Sequence, residues 1–214
     1  MAECSKQTNA PFGDVRISIE NLTMFRGERT LFSDVSASIK NGDVLWIRGD
    51  NGIGKTTLLR ALSGLLSTDE GRIKWNLDQQ DCSPGDVIAY QPHQSYAKGV
   101  LSAVEDLAFW SKLHKNRHPL KSVLEMVGLG GQTGVRTAKL SAGQKRRLAF
   151  AKLIISDKPV WILDEPAAAL DKTGVALIDS LVTRHISRGG ATIIASHGKP
   201  RSLSQSTRLL TLSE

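Results

Sequence analysis

The segment "VLWIRGDNGIGKTTLLRALSGLL" (residues 44–66) limits the possible folds more than any other part of the sequence. It begins with an unbroken apolar run at 44–47, which is typical of a strand buried on both faces. A glycine-rich loop follows, and then leucines at helical spacing, with Gly64 near the end of the predicted helix. A buried strand that leads through a short loop into a helix predicts an α/β fold whose sheet is mainly parallel.

The loop itself, "GDNGIGKTT", matches the phosphate-binding pattern G-x-x-x-x-G-K-[ST] in the required strand–loop–helix context. Its backbone N–H groups at 51–56 are expected to surround the β-phosphate of a nucleotide, while Lys55 reaches the β- and γ-phosphates. The Thr56 hydroxyl would bind Mg²⁺, and Thr57 can reach the α-phosphate. The alternative is a glycine-rich turn with a chance lysine, which this context disfavours. The predicted nucleotide-binding residues of the loop are Gly49, Asp50, Asn51, Gly52, Ile53, Gly54, Lys55, Thr56 and Thr57.

Two further apolar strands end in residues that suit phosphate chemistry. In "PVWILDEPAAALD" the strand ends at Asp164, so this carboxylate lies at the carboxyl edge of the sheet, where it can hold Mg²⁺ through water. Glu165 follows it and suits a general base for an attacking water. In "TIIASH", His197 also follows a strand, and it could bind the γ-phosphate and orient the water. The alternatives are a solvated acidic turn and a structural histidine. The predicted catalytic residues are Glu165, His197 and Lys55, and the predicted metal ligands are Thr56 and Asp164.

The pattern of apolar residues divides the chain into three parts. The first third alternates apolar and polar residues in "VRISIENLTMF" and "LFSDVSASIKNGD", which predicts half-buried strands. Residues 101–158 have a helical pattern, and the last third returns to strands and helices in alternation. We therefore predict a mainly parallel sheet core with an N-terminal β-subdomain and a helical subdomain inserted at about 95–158. Residues 1–14 are expected to form a flexible tail before a single domain at 15–214.

Composition excludes several classes of protein. The chain has 214 residues, of which 40% are hydrophobic and 23% charged, so it can bury a core and is not expected to be disordered. No apolar run reaches the roughly 18 residues that a membrane-spanning helix needs, and the polar start lacks the apolar region of a secretory signal. The two cysteines, Cys4 and Cys82, have no metal-ligand spacing, so we expect a reducing cytoplasm. The net charge of +7 is weak support for binding nucleic acid, anionic lipid or a phosphorylated substrate.

A second loop suited to phosphate precedes another predicted helix, in "KLSAGQKRRLAFAKLI" at 139–154. Ser141, Ala142 and Gly143 are small, and the helix predicted to follow them at 145–155 offers free backbone N–H groups and the positive end of its dipole. A domain of this size has little use for two separate phosphate sites of its own. The adjacent cluster "KRR" at 145–147 favours a solvated helix face.

The phosphate loop, "LSAGQ", "ILDEP", "ALD" and "SH", in this order, resemble the motifs of the ATP-binding subunits of ABC transporters. The resemblance extends from about residue 15 to the C-terminus, and it implies a P-loop NTPase domain whose copies face each other head to tail as a homodimer. It further implies that the signature residues of one copy bind the ATP held by the other, and that Asp171 couples the two sites. ATP is then the substrate and Mg²⁺ the cofactor. The signature residues are Ser141, Ala142, Gly143 and Gln144.

Two positions depart from the pattern of this family. The family carries a glutamine that binds Mg²⁺ and senses the membrane partner, but the aligned residue in "IAYQPHQSYAKG" is His93, with Gln94 beside it. Because Mg²⁺ prefers oxygen ligands to imidazole nitrogen, either Gln94 moves into place or a water bridges the gap. The family also stacks adenine on an aromatic residue, whereas here Arg26 precedes Gly27. Arg26 can stack through its guanidinium plane, and Phe25 is equally suited to the core.

A more specific resemblance links the chain to the ATPases of bacterial cytochrome c maturation, the CcmA family. It is based on "RTLFSDVSASIKNGDVLWIRGDNGIGKTTLLRALSGLL", on "VEDLAFW" and on His93. It implies integral membrane partners of the CcmB and CcmC type and a peripheral position on the cytoplasmic face of the inner membrane. It also implies that hydrolysis serves haem export or the release of a haem-loaded chaperone. The five histidines form no evident ligand pair and there is no C-x-x-C-H, so we expect no direct haem binding.

Other functions stay open at this point. The nearest is the ATPase of another small ABC transporter, for lipids, lipoproteins or peptides. An ABC ATPase acting on nucleic acid or ribosomes has mild support from the net charge, but such proteins generally carry two nucleotide domains or a coiled-coil insertion, which disfavours nucleic acid as a partner. A static nucleotide-binding scaffold is disfavoured because the predicted base and histidine are both present. Contact with a membrane partner is expected at about 90–113, where Tyr96, Phe109 and Trp110 are either contact residues or internal packing. For Phe109 we favour internal packing.

Overall fold

The computed structural model describes residues 12–93, 99–198 and 207–213. Gln94 and Tyr96, singled out in the sequence, lie outside these residues. Two short 3-10 turns are formed by Gly130–Gln132 and Thr137–Lys139. The strands and α-helices, in chain order, are β1 (Val15–Arg26), β2 (Arg29–Lys40), β3 (Val44–Arg48), α1 (Lys55–Leu62), β4 (Glu70–Leu77), β5 (Gln80–Asp81), α2 (Pro84–Val87), β6 (Ile88–Gln91), α3 (Ala103–Leu113), α4 (Leu120–Met126), α5 (Ala142–Ser156), β7 (Val160–Asp164), α6 (Lys172–Ser187), β8 (Ala191–Ala195) and β9 (Thr207–Thr211).

The first sheet is antiparallel and has the strand order β2-β1-β4-β5. β1 lies between two neighbours, so that Ile17 pairs with Ile39 of β2 on one side and with Trp75 of β4 on the other. In the first part of β1 buried residues alternate with less buried ones, because successive side chains of a strand point to opposite faces. One face of this sheet therefore packs on the rest of the domain, as the alternating sequence pattern predicts.

The second sheet is parallel throughout and has the strand order β6-β7-β8-β3-β9. Its three central strands, β7, β8 and β3, are almost completely buried. Asp164 at the end of β7 pairs with Ala195 at the end of β8. Because parallel strands end at the same edge, the phosphate loop, Asp164 and the residues that follow β8 are brought to one side of the sheet.

The parallel sheet is covered on both faces. In β7, Val160 and Ile162 belong to a core shared with the antiparallel sheet and α1, whereas Trp161 and Leu163 belong to a second core shared with α3, α4, α5 and α6. Neighbouring residues of one strand thus serve two different cores, which explains why the strand is apolar without interruption. Removing such a fully buried aliphatic side chain costs roughly 2–5 kcal/mol.

The chain between β6 and β7 contains α3, α4 and α5. Ser102 caps α3, since its hydroxyl accepts from the Glu105 N–H while the Glu105 carboxylate accepts from the Ser102 N–H at 2.8 Å. An ion pair joins α3 to α5, because Lys152 Nζ lies 2.6 Å from a carboxylate oxygen of the buried Asp106. These helices pack on the face of the parallel sheet that the antiparallel sheet leaves open.

The described chain begins with Phe12, whose side chain is only 8% exposed. The Phe12 ring lies 5.4 Å from the ring of His185 on α6, and the Arg188 guanidinium lies over it. Nearby, the Asn41 amide donates to the Gly13 carbonyl at 3.0 Å. Packing therefore begins three residues before the boundary that the sequence predicts for the domain, because a large apolar ring is more stable against α6 than in water.

Candidate active site

The phosphate loop lies between the end of β3 and the start of α1, at the carboxyl edge of the parallel sheet. Gly54 precedes α1 and has a φ of 105°, a backbone conformation that favours glycine. A Cβ atom on Gly54 would also lie 3.0 Å from the Phe32 ring and 3.1 Å from Leu31. The loop therefore needs glycine here both for its backbone conformation and for its close approach to β2.

Lys55 is the first residue of α1 and is buried, with 9% of its surface exposed. Its Nζ donates hydrogen bonds to the carbonyl oxygens of Gly49, at 2.7 Å, and Asp50, at 2.9 Å. The ammonium group is thus held inside the loop by two carbonyl groups of the loop itself. These bonds keep a positive charge beside the backbone N–H groups that suit phosphate oxygens.

The loop forms one wall of an open cleft with a volume of about 410 Å³. Three predicted nucleotide-binding residues, Gly49, Asp50 and Ile53, do not line this cleft. Gly49 and Asp50 instead supply the carbonyl groups that hold the lysine, and Ile53 is buried in the core at 7% exposure. The residues that line the cleft are Arg26, Leu31, Asn51, Gly52, Gly54, Lys55, Thr56, Thr57, His93, Asp164, Glu165 and His197.

The two predicted metal ligands meet in the cleft. The Thr56 hydroxyl donates a hydrogen bond to the Asp164 carboxylate at 2.8 Å, and Asp164 is 2% exposed. Both groups are hard oxygen donors, which fits the ligand preference of Mg²⁺. Among the described residues, no group of three or more His, Cys, Asp or Glu side chains could hold a metal ion by itself. Phosphate oxygens and water would therefore have to complete a Mg²⁺ site here.

Glu165 follows β7 in an unusual backbone conformation, with a φ of 47°. Its N–H donates to the Ala195 carbonyl at 2.9 Å, which ties this turn to the end of β8. Its Oε1 is buried and accepts no hydrogen bond from any residue in the described part of the chain, although His197 Nε2 lies 3.6 Å away. A buried acceptor without a donor needs a further hydrogen-bonding group, and an attacking water could supply it. Left-handed backbone at a non-glycine residue is itself frequent at functional sites.

The residues near the predicted adenine site differ in position. Arg26, at the end of β1, lines the cleft, whereas Phe25 does not. Phe25 is 41% exposed, so it does not belong to the core, and its N–H donates to the Asp69 carboxylate at 2.8 Å. Of the two, only Arg26 is placed to stack on a base bound in the cleft.

The signature residues form the start of α5. This helix begins at Ala142, three residues before the start at Lys145 that the sequence suggests, because Ser141 caps it. The Ser141 hydroxyl accepts from the Gln144 N–H at 3.2 Å, and the Gln144 side chain accepts from the Ser141 N–H at 2.9 Å. Ser141 and Ala142 are exposed. A helix N-terminus with small exposed residues is open to an anion from outside the chain.

Asp171 lies beside the signature residues, in a second cleft that also contains Gly128 and Arg147. Its carboxylate caps α6 by accepting from the Gly174 N–H at 2.7 Å and lies 3.6 Å from the Arg147 guanidinium. These donors, led by the Gly174 N–H and the Thr173 hydroxyl, lower the pKa of Asp171. The structure therefore brings the predicted coupling residue and the signature together, away from the phosphate loop.

One residue near the nucleotide cleft was missed by reasoning from the sequence. Arg146, part of the cluster expected to be solvated, is only 5% exposed. Its guanidinium donates to the carbonyl oxygens of Pro92, at 3.1 Å, and His93, at 2.5 Å. His93 lines the cleft, while Gln94 lies outside the described residues. The expectation for this cluster was wrong at Arg146 because β6 ends against α5, which a local charge pattern does not reveal.

Comparison with known proteins identifies the family. The ABC transporter family model matches residues 32–168. The protein named "Cytochrome c biogenesis ATP-binding export protein CcmA" in Vibrio vulnificus (strain YJ016) is 41% identical over 187 residues, which cover 85% of this chain and 91% of that protein. This chain belongs to the CcmA family of ABC transporter ATP-binding proteins. A protein of the same name in Xanthomonas axonopodis pv. citri is 38% identical over 201 residues, 92% of this chain and 93% of that protein.

A solved structure supports the fold. The structure described as a putative ABC transporter ATP-binding protein from Pyrococcus furiosus superimposes with a TM-score of 0.78 at 24% identity, and the match covers 92% of this chain and 97% of that one. The predicted fold class is confirmed, with its mainly parallel sheet and its N-terminal antiparallel sheet. The prediction that the chain is an ABC-type ATPase is also confirmed by its membership of the CcmA family.

Proposed function

We propose that the chain is the ATP-hydrolysing subunit of a cytochrome c maturation complex, in which two copies work head to tail on integral membrane subunits. The observation that supports the head-to-tail arrangement most directly is that the phosphate loop and the signature residues line separate clefts that share no lining residue. The first cleft contains the phosphate loop, the metal donors and the predicted base. The second offers a helix N-terminus and the signature residues. A second copy turned head to tail would place each signature against the γ-phosphate held by the other copy.

Hydrolysis takes place in the first cleft. Lys55 leaves the loop carbonyls and binds the β- and γ-phosphates, while the N–H groups of the loop bind the β-phosphate. Glu165 takes a proton from the attacking water, and His197 orients that water and the γ-phosphate. Thr56 and Asp164 would hold Mg²⁺, which would supply positive charge against the negative phosphates.

Dimer formation follows from the same contacts. ATP joins the copies because its γ-phosphate is bound by the loop of one and the signature of the other. Loss of the γ-phosphate removes the contact that favours the closed state, so hydrolysis shifts the population back to open copies. Asp171, beside the signature, transmits this change between the two sites.

The membrane subunits are proposed to bind at an apolar groove of about 380 Å³ between β6, α3 and α5, here called the lobe groove. Its walls include Leu65, Trp110 and Leu148. The preference for Phe109 as internal packing was wrong, since its side chain is 52% exposed next to Trp110. In the parts of the chain that the structure describes, no helix is both long and apolar enough to cross a membrane. The groove is proposed as the contact with the membrane subunits because exposed apolar surface and aromatic residues favour binding to partners.

The names of the relatives support the choice of membrane complex that we propose. Proteins named CcmA, with cytochrome c biogenesis and export in their names, match most of this chain. The proposed partners are accordingly CcmB- and CcmC-type membrane proteins, and the proposed location is the cytoplasmic face of the inner membrane. The energy of hydrolysis then serves haem export or the release of a haem-loaded chaperone, with no haem bound by this chain.

The variant Glu165→Gln tests the dimer mechanism. The amide can no longer accept the proton of water, but it keeps the shape of the side chain, so ATP should bind and not be hydrolysed. We expect a stable dimer by light scattering after size exclusion in saturating ATP-Mg²⁺. The matched control is the same variant in ADP-Mg²⁺, which should be monomeric because the γ-phosphate is missing. A monomer in saturating ATP-Mg²⁺ would refute the head-to-tail arrangement.

The same trapped variant tests the choice of membrane complex. Tagged Glu165→Gln protein is captured with ATP-Mg²⁺ from solubilised, nuclease-treated membranes, and the bound proteins are identified by mass spectrometry. Multi-spanning haem-handling proteins in the eluate support cytochrome c maturation. Capture of other permeases would be consistent with the ATPase mechanism but would contradict a role in cytochrome c maturation. Capture of ribosomal proteins alone would contradict a role at the membrane.

A further inference from the structure

A single helix contacts both phosphate-binding sites. The N-terminus of α5 carries the signature residues Ser141–Gln144, and Arg146 follows within the next turn of the same helix. Arg146 is buried, whereas its neighbours Lys145 and Arg147 are more exposed. Burial of a guanidinium is costly unless each side finds hydrogen-bond acceptors, so its contacts are expected to matter for the position of whatever supplies them.

Those acceptors belong to the chain's own nucleotide cleft. Two nitrogens of the guanidinium donate to consecutive carbonyl groups, those of Pro92 and His93, directly after the end of β6. The same His93 lines the cleft together with the phosphate loop and Glu165. The charges of Asp164 and Glu165 favour the ionised guanidinium, although burial lowers the pKa of Arg146. Arg146 thus fixes the backbone at the point where the chain leaves β6 and enters the cleft.

We propose that Arg146 is a positioning residue that couples the two ATP sites of the dimer through α5. A phosphate bound at the N-terminus of α5 acts on a rigid helix, and the paired hydrogen bonds of Arg146 carry any shift of that helix to His93 in the other site. Occupancy of one site thereby adjusts the geometry of the other. This inference rests on the proposed head-to-tail dimer, because without a partner no phosphate reaches the N-terminus of α5.

The role depends on the shape of the side chain as well as on its charge. The planar guanidinium presents two parallel donors to two neighbouring carbonyls, whereas an ammonium group is a point charge that can turn freely. Lysine at position 146 would keep the positive charge near Asp164 and Glu165 but would not hold both carbonyls in one geometry. Glutamine at this position would remove the charge as well.

The test compares Arg146→Lys and Arg146→Gln with the wild type in steady-state ATP hydrolysis. For both variants we expect a kcat about tenfold lower with KM within about threefold, because misplacing a group in the cleft affects the reaction more than binding. The Hill coefficient for ATP should fall from a value near 2 towards 1, since the sites no longer communicate. Arg117→Lys and Arg117→Gln are matched controls at an exposed arginine outside both clefts, and they should leave all three quantities unchanged.

A double variant identifies the group through which Arg146 acts. His93→Ala keeps the backbone carbonyl and removes the imidazole that Arg146 positions. Combined with Arg146→Lys, it should lower kcat about as much as the more severe single change, because both remove the same contribution. If the fold-losses in kcat of the two single variants multiply in the double variant, Arg146 acts through a group other than His93.

Three other outcomes overturn the inference. A loss of kcat that only follows the loss of folded protein, with an unchanged Hill coefficient, assigns Arg146 a structural role. If Arg146→Lys has a wild-type kcat and Hill coefficient while Arg146→Gln is impaired, the positive charge alone is enough and the two parallel hydrogen bonds are not needed. A wild type that hydrolyses ATP without cooperativity, and a Glu165→Gln variant that stays monomeric, would instead reject the dimer on which the inference rests.

Discussion

The two proposed phosphate-binding sites differ in how many of their residues the chain itself supplies. The first cleft collects residues from the ends of β1, β7 and β8 around the phosphate loop, and Lys55 is buried between two loop carbonyls. At the signature, Ser141 and Ala142 are exposed, and the nearby Arg147 lies 3.6 Å from Asp171. All residues proposed to bind the nucleotide in the first cleft come from one chain, whereas the signature presents an exposed helix N-terminus that suits a phosphate held by a second copy.

This difference separates two functions that a single active site usually combines. Binding of ATP should depend on the first cleft and be complete in the monomer. Hydrolysis should depend on both, since the signature of another copy must complete the surroundings of the γ-phosphate. A variant of the signature that weakens ATP binding in the monomer would therefore contradict this separation of binding from hydrolysis.

The largest effect is expected for Lys55→Met. Without the ammonium group, the β- and γ-phosphates lose their main positive partner, so ATP affinity should fall at least about tenfold and hydrolysis at least about a hundredfold. Affinity is measured with a fluorescent ATP analogue and hydrolysis by phosphate release. Lys121→Met, at an exposed position of α4, is the control and should behave as the wild type. Normal ATP affinity in Lys55→Met would mean that the first cleft is not the binding site.

A smaller and more selective effect is expected for Ser141→Arg. A long side chain at the N-terminus of α5 blocks approach of a phosphate, so hydrolysis should fall about a hundredfold, as for the loss of transition-state donors elsewhere. ATP binding to the monomer should stay within about twofold of the wild type, because Ser141 does not line the first cleft. Weakened binding of the fluorescent analogue would contradict the separation of the two sites.

Mixing the two inactive variants tests directly whether the signature acts on the nucleotide of the other copy. In a head-to-tail dimer of Lys55→Met with Ser141→Arg, one site combines both defects and the other combines an intact loop with an intact signature. Equal mixing should restore measurable hydrolysis, with about a quarter of the wild-type rate as the upper limit, since half of the dimers are mixed and each has one good site. The coupling proposed for Arg146 would keep the rate below that limit. A mixture shown to contain mixed dimers that hydrolyses ATP no faster than either variant alone would contradict a signature that acts on the partner's nucleotide.

The smallest effect on either site is expected from a substitution of His185, which lies on α6 and lines neither cleft. Its ring stacks on Trp161 with centroids 4.0 Å apart, is buried, and has its Nε2 3.1 Å from the Pro159 carbonyl. Burial lowers the pKa of His185 to about 4, against an ordinary value of 6.5. Below pH 6.5 the unfolded chain therefore binds a proton that the folded chain excludes.

Folding stability should consequently fall as the pH is lowered from about 6.5 towards 4, by about 2 kcal/mol at pH 5 from this group. His185→Gln removes the titration and should flatten this part of the profile, measured as the free energy of unfolding in urea. ATP hydrolysis at pH 7 should be unaffected, because His185 lines neither cleft. Equal pH dependence in the two proteins would assign the acid sensitivity to other groups.

Most of the residues that line the first cleft were named from the sequence, because the motifs that contain them are local. A strand, a loop and a helix that follow one another in the chain form the phosphate loop, and the apolar runs of β3, β7 and β8 require burial on both faces. Parallel strands then bring Asp164, Glu165 and His197 to the same edge without further information. The capping pair Ser141 and Gln144 of α5 is likewise a local signal, but it was missed, so the predicted start of the helix was three residues late.

The surroundings of residues that contact distant segments of the chain were harder to predict from the sequence. The local sequence is ambiguous at several positions, because a charged or aromatic side chain can be buried or exposed. These positions are Arg146, Phe109, Phe12 and His185. Arg146 is buried because β6 ends against α5, and Phe12 because α6 offers an aromatic partner. No pattern within a window of the sequence specifies either neighbour.

The fold class and the family motifs, which include the residues proposed to bind phosphate, could be predicted from the sequence, because they follow from the periodicity of apolar residues and from motifs within one or two elements. Which of those residues share a cleft depends on the tertiary structure. It placed the signature with Asp171 and apart from Lys55, and it joined α5 to His93 through Arg146. The physical reason is that packing of the two sheets and the inserted helices sets distances between segments that lie far apart in the chain.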